Sequence, residues 1–127
     1  MATPSLALIV DDEAHVRTFV SLIMKEIGVE TSLLAADAEE AFRIYEARKP
    51  ELVMIDIHLP GGASGLELLK RIRAVDTDTY TIILTCEASS STVMAAVNAG
   101  ADGFIRKDTP KAGIVRQIQE VLADPEE

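Results

Sequence analysis

A chain of 127 residues, 48% hydrophobic and 26% charged, has the size and composition of a single compact domain spanning 1–127, with a core over about 5–123 and a tail or linker start at 124–127. No apolar run approaches the roughly 20 residues needed to cross a bilayer, and no basic-then-apolar leader opens the chain, so a cytoplasmic protein without a membrane partner is expected. The net charge of −9 argues against direct nucleic-acid binding, and the lone Cys86 excludes an intramolecular disulfide or a multi-cysteine metal site.

Short apolar runs alternate with helical periodicity along the chain, the pattern of a parallel sheet built from βα units. The first run is Leu6–Val10. A helix over about 13–28 follows, with Val16, Phe19, Val20, Ile23 and Ile27 as its apolar stripe and Gly28 as its terminator. A strand near 30–35 leads to a helix that begins after Asp37, a good N-cap, and stops before Pro50. The run Leu52–Ile55 ends at Asp56, and Ser64 caps a helix with Leu66, Leu69 and Ile72 inward. A strand over Tyr80–Thr85 precedes a helix over 89–98 that ends at Gly100. The last strand covers 102–106, and a helix over 110–122 turns Ile114, Val115, Ile118, Val121 and Leu122 to the core. Five βα units fill the chain without an internal repeat or linker.

Polar residues stand where the apolar runs stop: Asp11 with Asp12, Asp56, Thr85 and Lys107. In an open α/β sheet, ligands bind beyond the carboxyl ends of the strands, so these residues converge on one edge. Three carboxylates, a hydroxyl and an ammonium there suit a divalent metal and a phosphate. Mg²⁺ takes one or two carboxylates, keeps waters and completes its shell with phosphate oxygens. Asp56 ends an otherwise apolar strand, where an isolated carboxylate is costly, so it faces the edge, a partner or a metal. It is a candidate carboxylate nucleophile that accepts a phosphoryl group. A cation and Lys107 would neutralise the crowded charge and orient the donor.

On Val10-Asp11-Asp12-Glu13, Asp56-Ile57-His58-Leu59-Pro60, Leu84-Thr85, Ala99-Gly100-Ala101-Asp102-Gly103-Phe104 and Lys107, the chain resembles a response-regulator receiver domain of two-component signalling over essentially its whole length. The resemblance implies a flavodoxin-like doubly wound (βα)5 fold, with a five-stranded parallel sheet in the order 2-1-3-4-5. It implies Asp56 as acceptor of a phosphoryl group from a histidine kinase or phosphotransfer protein. It implies Mg²⁺ (or Mn²⁺) held by Asp12, Asp56 and the backbone carbonyl of His58, with Asp11 acting through water. Thr85 would bind a phosphoryl oxygen, Lys107 would pair with the phosphate, and Phe104 would be the aromatic switch.

On the same footing, phosphorylation would draw in Thr85, free space for Phe104 and remodel the surface of helix 4, strand 5 and helix 5, which meets a downstream protein or output domain. The chain would be a monomer or a phosphorylation-dependent dimer, not a turnover enzyme. His58 and Glu87 would flank the path of the attacking water and tune dephosphorylation. His15, Phe19 and Leu22 form a flank suited to kinase docking, and Cys86 reads as a small buried hydrophobe. Three features depart from the family pattern: Asp108 instead of proline after Lys107, a loop one residue longer after Asp56, and Cys86 after Thr85. A degenerate receiver acting only as an interaction domain, or an aspartate-nucleophile phosphohydrolase, are the competing readings.

Overall fold

The computed structural model describes residues 3–86 and 89–123. Strands and helices alternate throughout: β1 Leu6–Val10, α1 Ala14–Glu26, β2 Thr31–Ala35, α2 Ala38–Arg48, β3 Leu52–Ile55, α3 Gly65–Val75, β4 Tyr80–Thr85, α4 Ser90–Asn98, β5 Gly103–Arg106 and α5 Lys111–Leu122. All neighbouring strands pair in parallel, in the order β2-β1-β3-β4-β5. This is the doubly wound sheet expected from the alternating pattern.

The two faces of the sheet explain why its central strands lack alternation. Leu8, Val10, Val53, Ile55 and Ile83 pack against Tyr45, Leu68, Leu69, Ile72 and Ala96 from α2, α3 and α4. Their sequence neighbours Ala7, Ile9, Leu52, Met54 and Ile82 pack on the other side against Val20, Ile23 and Met24 of α1 and Ile114, Ile118 and Leu122 of α5. A strand covered on both faces must be apolar at every position.

Local chemistry sets the helix ends. Asp37 accepts a hydrogen bond from the Glu40 N–H at 2.8 Å, and Ser64 and Glu67 form a reciprocal capping box. Gly28, at φ 102°, closes α1 by donating to the Lys25 carbonyl. Pro110 is the N-cap of α5 rather than its first helical residue.

Two expectations are corrected. Phe19 does not belong to the buried stripe of α1 but is 40% exposed, and Met24, one turn after Val20, fills the core instead. The stripe at 3.6-residue spacing is narrow, and Phe19 falls on its flank. Cys86 is exposed, because the chain has already left the sheet after Thr85.

Candidate functional site

Backbone register brings the site together. Val10 and Ile55 are partners in the β1–β3 ladder, so the next residues, Asp11 and Asp56, emerge side by side at the carboxyl edge. The pairing runs one residue past each strand. The Asp56 N–H donates to the Val10 carbonyl at 2.9 Å, the Asp11 N–H to Ala35 at 3.1 Å, and the Lys107 N–H to Thr85 at 2.9 Å. Carboxylate oxygens of Asp11, Asp12 and Asp56 lie within 4.8 Å of one another.

Asp11 and Asp56 are 2% and 5% exposed, which makes their charges costly without compensation. Lys107 supplies it. Its ammonium lies 2.7 Å from Asp11 Oδ2, 3.0 Å from Asp56 Oδ2 and 3.5 Å from Glu13 Oε1. Burial alone would lower the Lys107 pKa, but its pairing with the negative charges of Asp11 and Asp56 outweighs that and holds it above its ordinary value. Burial raises the Asp11 pKa, with Lys107 and the Glu13 N–H opposing the rise.

Asp11 Oδ2 is buried, and its approach to Lys107 is an ion pair without a well-formed hydrogen bond. Buried hard oxygens with spare lone pairs are the donor set that Mg²⁺ or Mn²⁺ takes. The residues present therefore fit a divalent cation. Asp56 Oδ1 accepts the backbone N–H of His58 at 3.2 Å, which orients the carboxylate from the loop side.

The loop after β3 returns sharply into α3, and Gly65 makes the return possible. A Cβ there would overlap the Asp56 carbonyl, while the Gly65 N–H donates to Ile57 at 2.9 Å. α3 therefore starts directly against the phosphoacceptor candidate.

The other residues singled out by sequence fall as follows. Thr85 is fully buried at the end of β4, beside the site, and Phe104 is partly buried against the α2–α3–α4 core. The His58 side chain is exposed, as are those of His15 and Leu22 on α1. Glu87 and its suggested partnership with His58 lie outside the described residues. Every described peptide bond, that after Lys107 included, is trans, and Arg106 makes a bidentate pair with Asp108 across Lys107, at 3.1 and 2.8 Å.

Two participants escaped sequence reading. Glu13, part of the Val10-Asp11-Asp12-Glu13 motif but given no role of its own there, reaches Lys107. Arg17 donates from α1 to the Asp11 carbonyl at 2.6 Å, an i,i+6 contact that no short-range pattern signals.

Residues 7–119 match the family described as the response regulator receiver domain. The chain is 32% identical over 117 residues to the phosphate regulon transcriptional regulatory protein PhoB of Pseudomonas aeruginosa, covering 91% of this chain and 50% of that one. It therefore spans half the length of that relative. It is 31% identical to the chemotaxis protein CheY of Thermotoga maritima, covering 90% and 94% of the two chains. The crystal structure of a CheY-like receiver domain protein from Methanospirillum hungatei superposes with a TM-score of 0.84 at 30% identity, covering 93% of each chain.

Proposed function

Because the chain belongs to the response regulator receiver domain family, whose members are phosphoacceptors rather than turnover enzymes, we propose that Asp56 is the residue that accepts a phosphoryl group from a histidine kinase or phosphotransfer protein. The observation that carries this reading is the buried Asp56 carboxylate, shared between Lys107 and the His58 N–H beside two further carboxylates. An Asp56 oxygen attacks the phosphorus of a phosphohistidine, the phosphorus–nitrogen bond breaks, and an acyl phosphate forms as the donor imidazole leaves.

Asp11, Asp12 and Asp56, with the His58 carbonyl, would hold Mg²⁺ or Mn²⁺, which when bound neutralises charge on the transferring phosphoryl group. Lys107 pairs with the new phosphate and the Thr85 hydroxyl donates to one of its oxygens. Phe104 then follows Thr85 inward, and the surface of α4, β5 and α5 changes toward a downstream protein or output domain. Exposed Met94 and Val97 on α4 support that surface. Among the described residues no helix is long and apolar enough to cross a membrane, in keeping with a cytoplasmic site of action.

Intact-mass measurement after incubation with Mg²⁺ and a small acyl-phosphate donor tests the assignment. One phosphoryl adduct is expected, lost with chelator and in Asp56→Asn. An adduct that survives in Asp56→Asn would move the phosphoacceptor elsewhere.

A further inference from the structure

Lys107 faces three carboxylates, and the proposed chemistry engages two of them. Asp56 takes the phosphoryl group, and Asp11 belongs to the metal cluster. Glu13, at 3.5 Å, has neither role, so it is the carboxylate still available to Lys107 after phosphorylation.

Its local structure supports a task in the site. Glu13 is the N-cap of α1, with φ −96° and ψ 116°, yet its side chain makes no capping hydrogen bond. Its backbone carbonyl accepts the Val16 and Arg17 N–H groups, both at 3.1 Å, so the cap geometry does not use the carboxylate. Instead Oε1 turns toward Lys107, and Oε2 lies 3.9 Å from His15 Nε2 at the outer rim. Glutamate is also not among the favoured N-cap residues, whose shorter side chains reach back to the helix N–H groups.

We propose that Glu13 is a positioning residue that docks the Lys107 ammonium at rest and competes with the phosphoryl group for it, shortening the life of the acyl phosphate. This rests on Asp56 being the phosphoacceptor. Phosphorylation replaces one negative charge by roughly −1.5 to −2 and draws Lys107 inward. Glu13 pulls the same ammonium outward and repels the phosphate. Its side chain is half exposed, so solvent screens the effect and keeps it modest.

The test is the phosphoryl half-life of the full chain in Mg²⁺, followed by intact mass, for the wild type, Glu13→Gln and Glu13→Asp. Glu13→Gln should lengthen the half-life about two- to fivefold, and the gap should close as salt rises. Glu13→Asp keeps the charge but is one methylene shorter, so it should resemble Glu13→Gln. An unchanged or shorter half-life in Glu13→Gln overturns the proposal. So does a wild-type half-life in Glu13→Asp, which would assign the effect to rim charge rather than contact with Lys107. A gap that persists in molar salt does the same. If no Asp56-dependent adduct forms, both readings fall; an Asp56-dependent adduct with unaltered lifetime removes only the role of Glu13.

Discussion

Lys107 holds together a group of carboxylates that would otherwise repel one another. Two of its partners are nearly buried, and its own side chain is 15% exposed. Removing the ammonium leaves their charges uncompensated in a poorly solvated place. Lys107→Met should lower metal-free stability by about 2–3 kcal/mol, less than a fully buried broken pair because some solvent reaches the site. Mg²⁺ should recover part of that loss. Urea midpoints with chelator and with Mg²⁺ give the answer, and an unchanged midpoint in chelator contradicts it. Asp56 was legible at this scale because a carboxylate ending an apolar strand needs a reason. Glu13 was not, because a glutamate before a helix already has an ordinary reason to be there.

The β3–loop–α3 unit gives Asp56, the proposed phosphoacceptor, its fixed setting. Gly65 lets the first turn of α3 lie against the Asp56 backbone, where no side chain fits. Gly65→Ala should force the helix away from the strand, at about 1–3 kcal/mol for overpacking, and slow phosphorylation of Asp56. Gly62→Ala, in the same loop, is the control: a Cβ there meets nothing within 4 Å, and stability should stay within about 0.5 kcal/mol. Thermal midpoints and adduct formation rates compare the two, and equal effects would show that the packing of α3 is not responsible. The helix caps at Asp37 and Ser64 were readable from local sequence. The close approach at Gly65 was not, since it joins a helix to a carbonyl nine residues earlier.

Across the whole molecule, a tie far from the site links α2 to the turn after α3. Tyr45 is fully buried and donates to Asp76 Oδ2 at 2.7 Å, while Asp76 Oδ1 accepts the Asp78 and Thr79 N–H groups at 2.8 and 3.2 Å. Burial, then Asp76, pushes the Tyr45 pKa above its ordinary 10.0. The Tyr45 bond, more than any other contact, holds Asp76 below its ordinary 3.8. The stability due to Tyr45 is therefore present below pH 10.0 and lost as pH rises past it, because the unfolded chain releases that proton first. The stability due to Asp76 is present above pH 3.8 and lost as pH falls toward its native value. Tyr45→Phe should cost about 1 kcal/mol at neutral pH and flatten both limbs of the stability profile. Urea unfolding across pH reads this out, and a mutant profile running parallel to the wild type would contradict the linkage.

The sequence by itself determined the order of elements and the βα pattern of a parallel sheet, because apolar runs of strand length and helical periodicity are local properties, while the resemblance to the family rested on the motif residues around Asp11, Asp56, Thr85 and Lys107. It also determined which polar residues end the strands, and so which five gather at one edge. Tertiary structure decided what local pattern does not carry. It left Phe19 outside the core, exposed Cys86, brought Arg17 to the Asp11 carbonyl and turned Glu13 toward Lys107. Each depends on the direction in which a side chain leaves the backbone once distant elements have packed. The contact between Glu13, just before α1, and Lys107, just after β5, joins residues 94 apart in sequence, and only the assembled sheet sets their distance.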